Sequence, residues 1–292
     1  MITIDTSISD FPRQEAGELR RFRETYPLKQ VEIAGVQWEY IEAGHGPETL
    51  LLLPGILGVA EMSFQLIQAF EDGFRVIVLS YPFSARTVEE LVAGVRGLLA
   101  ALDIEQANVL GGSFGGLLAQ RLVRRYPDLV QNLILSHTGA PDPERVQKNQ
   151  KFISLMRWLP MGLLRAMLRL VTRKSLEDAG EGRDFWTRYT DEITARLSRQ
   201  ALISRYQVAV DFDTTSSFSP EDLKDWTGRI LILEGDNDPV AEVAAQEALK
   251  ALYPNAKVHT FHGSGHVASI AKLPEYTAVV RAFLKESGSK SD

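Results

Sequence analysis

The sequence has no cysteine among its 292 residues. Disulfides and thiolate metal sites are therefore excluded, and with them any clue to redox compartment. It has no excess of positive charge either: 32 Lys and Arg stand against 38 Asp and Glu, a net charge of −6. That balance argues against general nucleic-acid binding. No uninterrupted apolar stretch reaches the roughly 18 residues of a membrane span. The opening MITIDTSISDFPRQEAGELRRF holds no apolar run of signal-peptide length, so a cytoplasmic protein is expected. Internal repeats and low-complexity tracts are missing too. What remains is ordinary for a globular chain: 45% hydrophobic and 24% charged residues. The length suits one large domain, or a domain with an insertion.

Strand and helix patterns alternate through most of the chain. After a short charged helix around 14–24, strands are expected at 31–34, 36–43, 49–53, 75–79, 108–110 and 133–136. Helical spacing runs over 62–70 and 88–102, then resumes after Gly115. From Arg229 the rhythm returns: strand 230–233, helix 243–253, strand 257–261, helix 268–285. The polar tail 286–292 is expected to fray. Such alternation implies an α/β fold, a mostly parallel sheet flanked by helices. Residues 141–225 break the rhythm with helical patterns at 152–159, 163–171, 185–197 and 201–210. They are expected to form a helical cap inserted into a core made of 1–140 and 226–292.

At the centre stands VLGGSFGGLLAQRLVRRY, residues 109–126. A strand runs into Gly111-Gly112-Ser113-Phe114-Gly115 and an amphipathic helix follows. This is G-x-S-x-G between strand and helix, a turn that presents a serine hydroxyl as a nucleophile. Bulky neighbours would collide at so tight a turn, so Gly111 and Gly115 flank the serine. A serine needs a base, and the base needs a carboxylate to fix its tautomer. Of five histidines, His266 stands in a Gly-Ser-Gly-His loop before the last helix. Asp238 follows strand 230–233 in Glu-Gly-Asp-Asn-Asp-Pro. Both loops leave the carboxyl edge of the sheet, as Ser113 does. Asp236 and Asp142 are rival carboxylates. His262 and His266 have the spacing of a helical metal pair, but Gly263 and Gly265 disfavour a helix there, so no metal site is expected. His137 ends a strand at the active edge and reads as a pocket-wall residue. His45 and His259 read as surface positions. The oxyanion donors are expected to be the N–H groups of Phe114 and Ile56.

These pieces, PGILG at 54–58, GGSFGG at 111–116, LEGDNDP at 233–239 and GSGH at 263–266, resemble the α/β-hydrolase superfamily over nearly the whole chain. More narrowly, YPLKQV (26–31), FRVIVLSYP (74–82), GGLLAQ (115–120) and LYPNAK (252–257) resemble the maspardin-like branch. The superfamily resemblance favours Asp238 over Asp236, because its members carry G-x-x-D-P there. It also implies the order Ser113, Asp238, His266 for a catalytic triad. The maspardin resemblance implies a scaffold or binding protein, and that branch lacks a histidine matching His266. The full triad present here favours an enzyme.

The expected activity is hydrolysis of a small apolar carboxylic ester through an acyl-enzyme, with no cofactor. The same triad serves C–C bond hydrolases and perhydrolases, and a non-catalytic adaptor is the reading from another class. The insertion should supply the substrate pocket, with Phe152, Met156, Trp158 and His137 as candidate walls. Its residues 144–174 carry eight Lys and Arg against Glu144 alone. That basic, apolar stretch fits either an anionic membrane surface or a lid with solvated cations. The lid is favoured, because the acyl pocket needs a cover, with Trp158 shaping acyl preference.

Overall fold

Continuous apolar runs, rather than alternating ones, build the middle of the sheet, because those strands are covered on both faces. In the computed structural model, residues 14–286 are described. The residues before Gln14 and the tail after Glu286 lie outside the described residues. The strands are β1 (Lys29–Ile33), β2 (Val36–Ala43), β3 (Glu48–Leu53), β4 (Phe74–Ser80), β5 (Ala107–Gly112), β6 (Val130–Ser136), β7 (Ile230–Gly235) and β8 (Lys257–Phe261). They form one eight-stranded sheet in the order β1-β2-β4-β3-β5-β6-β7-β8. β2 runs antiparallel to both its neighbours, and the other pairs are parallel. β3 connects onward to β4 on one side, whereas β5 connects to β6 on the other. The crevice outside the carboxyl ends of β3 and β5 is therefore a topological switch point, where α/β sheets bind ligands.

Period-two geometry divides each central strand between two cores. Leu51 and Leu53 of β3 face a layer containing α3 (Val88–Ala101), α4 (Phe114–Arg125) and α9 (Val243–Leu252). Leu50 and Leu52 face the opposite layer, with α1 (Gln14–Thr25), α2 (Phe64–Phe70) and α11 (Leu273–Lys285). The same split recurs in β4, with Ile77 and Leu79 on one side and Val76 and Val78 on the other. The expected final helix is in fact two: α10 (Ala268–Ala271) and then α11, which starts after Lys272 with Pro274 in its first turn. Proline is at home there because it has no N–H to donate.

Four helices lie between β6 and β7: α5 (Pro143–Trp158), α6 (Met161–Ser175), α7 (Arg183–Arg196) and α8 (Arg199–Thr215). α5 starts nine residues before the expected 152, where the Asp142 carboxylate caps it by accepting the Glu144 N–H. The insertion is seated on both layers. α8 adds Val208 and Phe212 to one core, and its Ser204 Oγ donates to the Ala85 carbonyl at 2.7 Å. α7 adds Phe185, Trp186 and Tyr189 to the other, with Trp186 stacked on Phe64. Arg23 of α1 bridges Glu61 and Glu192, largely buried ion pairs that tie α7 to the core. A third core forms within the insertion from Ile153, Met156, Leu164, Leu197, Ala201 and Leu202. No described helix is long and apolar enough to cross a membrane.

Candidate active site

The turn after β5 is crowded at Gly111 and Gly115, though a Cβ on Gly112 would meet nothing within 4 Å. A Cβ on Gly115 would sit 1.9 Å from the Leu53 carbonyl oxygen, and one on Gly111 would sit 2.5 Å from that of Gly115. Glycine at both positions lets α4 start directly behind Ser113. Ser113 itself takes φ 52° and ψ −117°. A non-glycine residue adopts such a conformation only when its surroundings impose it. Those surroundings come from the end of β6 and the loop after it: the Ser113 N–H donates to the Ser136 carbonyl at 2.8 Å, and Thr138 Oγ1 donates to the Ser113 carbonyl at 2.8 Å.

Three loops then converge. His266 Nε2 lies 2.9 Å from Ser113 Oγ, and His266 Nδ1 lies 3.0 and 2.9 Å from the two Asp238 oxygens. Asp238 Oδ1 also accepts the N–H groups of Val240 and Ala241 at 2.8 and 2.9 Å. Burial works against its ionised form. The His266 hydrogen bond and charge, with the two N–H donors, outweigh burial and hold the carboxyl below its ordinary value. Asp236 does different work. Its Oδ1 accepts the Gly263 N–H at 2.7 Å and its Oδ2 lies 3.2 Å from His262 Nδ1, so it braces the His266 loop. Asp142, the cap of α5, takes no part. His45 is exposed, and His259 is partly exposed against Glu275. Among the described residues no group of three or more His, Asp or Glu side chains is placed to hold a metal ion.

The loop after β3 faces the turn closely enough that a Cβ on Gly55 would lie 4.0 Å from Ser113 Cβ. Ile56 and Phe114 both line the cavity above Ser113. Among the described residues no partner takes the N–H of either one. Two residues outside the expected set hold this loop. Tyr81 donates its O–H to the Pro54 carbonyl at 2.8 Å and its N–H to the Gly58 carbonyl at 2.9 Å. Its ring also packs against Phe114. Arg205 of α8 donates to the Tyr81 and Pro82 carbonyls and lies over the Tyr81 ring. Burial pulls the Arg205 guanidinium down to about 10. Arg205 leaves one trace in the sequence, a cation among the apolar residues of 201–210. Tyr81 leaves none.

The cavity has a volume of about 520 Å³ and opens above Ser113 and His266. Its insertion-side walls are Leu168, Val171 and Leu176 with Trp186, Thr190 and Tyr206. His137 lines it as expected, buried with φ 49° and perpendicular to His266 at 6.0 Å between ring centres. Burial and the neighbouring His266 push the His137 imidazole down to about 3. Three expected wall residues are absent from the lining. Met156 is fully buried in the insertion's own core. Phe152 packs edge-on to Tyr206 at 4.8 Å. Trp158 is 87% exposed at the end of α5. The expected pocket placed apolar side chains against the substrate that instead pack on one another or face outward.

The α/β hydrolase fold family model matches residues 48–273, most of the chain and every element of this site. The chain belongs to that family. A 2-hydroxy-6-oxononadienedioate/2-hydroxy-6-oxononatrienedioate hydrolase of Escherichia coli K12 is 25% identical over 279 residues, covering 87% of this chain and 93% of that protein. The enol-lactonase of Burkholderia xenovorans LB400 superposes with a TM-score of 0.76 at 20% identity, over 88% of this chain and all of that one. A thermophilic esterase of Thermogutta terrifontis gives 0.74 at 19%, over 89% and 98%. The two solved structures show the fold alone. The sequence relative is by name a hydrolase of an oxo acid, so the family shown is that of the α/β hydrolases and not the narrower maspardin-like branch.

Proposed function

We propose that this protein is a serine hydrolase in which Ser113 attacks a carbonyl carbon, His266 acts as base and then acid, and Asp238 orients His266. The continuous Ser113–His266–Asp238 hydrogen-bond chain beneath an open cavity carries this reading. As Ser113 Oγ bonds to the carbonyl carbon, its proton passes to His266 Nε2. The oxygen gains negative charge between the Ile56 and Phe114 N–H groups. Collapse breaks the bond to the leaving group, which takes the His266 proton. Water, deprotonated by His266, then bonds to the acyl carbon; the Ser113 Oγ–carbon bond breaks and Ser113 Oγ takes the proton back from His266, releasing the acid. The residues themselves supply every proton transfer in this sequence.

Two scissile bonds fit. The oxo-acid hydrolase relative supports a C–C bond beside a ketone, with a carbon leaving group stabilised by conjugation. The cavity supports an uncharged ester. Its lining carries one arginine, Arg145, and that is already paired with both oxygens of Asp213. A dioate would enter with no unpaired cation to meet it. The deciding experiment compares kcat/KM for three probes: p-nitrophenyl butyrate, the oxo-acid dioate, and an analogue whose 6-oxo carbon carries an uncharged alkyl group. A C–C hydrolase turns over the uncharged-tail analogue faster than the dioate and splits its carbon chain. Turnover of the ester alone assigns the ester reading. No turnover of any probe, with Ser113 unreactive, overturns the hydrolase.

A further inference from the structure

The α5–α6 hairpin turns apolar side chains away from the protein. Trp158 is 87% exposed at its bend, and Leu155, Leu163 and Leu170 are 44%, 53% and 66% exposed. On α5, Lys148, Lys151, Leu155 and Trp158 are exposed at helical spacing. On α6, Leu163, Ala166, Leu170 and Arg173 do the same. Each helix therefore shows an outer stripe of apolar residues bordered by cations. Stripes like these rarely stay in water without a partner. Leu164 faces the insertion's core and Leu168 lines the cavity, while Val171, 58% exposed, belongs both to the cavity rim and to the outer surface. The outer stripe thus borders the cavity wall.

Charge identifies the partner. Residues 144–174 carry eight Lys and Arg and one acid, on a chain whose net charge is −6. Arg145 and Arg169 are engaged by Asp213 and Asp191. Among the described residues, no ion pair takes in Lys148, Lys151, Arg157, Arg173 or Lys174. Glu177 and Asp178 follow the hairpin and set the limit of the basic region. We infer that the α5–α6 hairpin docks on an anionic lipid surface, with Trp158, Leu163 and Leu170 in the interface and the free cations at headgroup level. Docked this way, α6 holds the cavity at the membrane, within reach of apolar molecules dissolved there. This goes beyond the proposed chemistry and does not depend on it.

The test is co-sedimentation of the full chain with vesicles of phosphatidylcholine containing a third phosphatidylserine, against phosphatidylcholine alone. Binding is expected to the anionic vesicles at low salt and to vanish near 1 M salt, where screening reaches within about 3 Å. Trp158→Ala with Leu163→Ala should weaken it at least tenfold, and Arg157→Glu with Lys174→Glu should abolish it. Neither pair touches the cavity, so hydrolysis of a soluble ester, or labelling of Ser113 by a fluorophosphonate, stays at the parent level and certifies the fold. Trp158 emission should shift to the blue on anionic vesicles. No sedimentation at low salt overturns the inference. So does a concentration-dependent dimer that is lost in the Trp158/Leu163 variant and binds no vesicles, which assigns the stripe to a second copy of this chain.

Discussion

On the sheet edge, Ser113, Asp238 and His266 sit on loops that leave parallel strands β5, β7 and β8, so sequence position alone sets where they emerge. In the insertion, no strand order dictates which side of a helix meets the substrate. α6 shows the consequence: Leu164 is buried in a local core, Leu168 and Val171 line the cavity, and Leu163 and Leu170 face out. One helix with apolar residues on three sides cannot be oriented from its periodicity. The proposed chemistry thus rests on the core, and the far walls of the cavity on the insertion.

That division can be broken by substitution, and the largest effects should fall on the edge. Ser113→Ala is expected to lower kcat by about 10⁴-fold or more, with the fold retained by circular dichroism. Asp238→Asn should cost about 10⁴-fold, because a neutral amide favours the wrong imidazole tautomer. Asp236→Asn, which only braces the loop, should retain most activity. If Asp236→Asn were the more damaging, the carboxylate would be reassigned.

A smaller loss is expected from Tyr81→Phe. It removes the O–H that holds the Pro54 carbonyl and so loosens the loop bearing Ile56. One buried hydrogen bond is worth about 1 kcal/mol, so kcat should fall by roughly fivefold with KM little changed. An equal rise in KM would place Tyr81 in substrate binding instead.

His137 should register in stability. Folded, it stays neutral down to about 3, whereas its ordinary value is 6.5. Between these values the unfolded chain binds a proton that the folded one does not, so stability falls as pH falls through that window. Removing this group with His137→Phe should flatten the slope by about 1 kcal/mol per pH unit, read from urea unfolding at several pH values. Unchanged slopes would mean that His137 is protonated in the native state.

The smallest effect belongs to the surface of the insertion. Trp158→Ala should leave kcat/KM for a soluble substrate within about twofold, as exposed positions generally do. A marked change in acyl preference would restore Trp158 to the pocket.

Much of the fold was legible because buried parallel strands are continuous apolar runs, as in Leu50–Leu53, and because glycines mark the turn at Ser113. The cluster of Ser113, Asp238 and His266 was legible because all three residues follow strand ends. The Asp238 choice leaned on a family pattern, and geometry now supplies its reason in the paired contacts to His266. The walls at Tyr206, Thr190 and Trp186 were not legible, since their inward direction comes from α7 and α8 being pinned to the two layers. Tyr81 was hidden for a related reason: from the end of β4 it holds a carbonyl of the loop after the neighbouring β3, and no local pattern encodes that.

The most direct measurement is mass spectrometry of the full chain after exposure to a fluorophosphonate probe. Reaction should place a single adduct on Ser113, and His266→Ala should slow that labelling by several orders of magnitude. An unmodified chain, or an adduct elsewhere with Ser113 free, would contradict a nucleophilic serine and leave the fold serving as a binding protein.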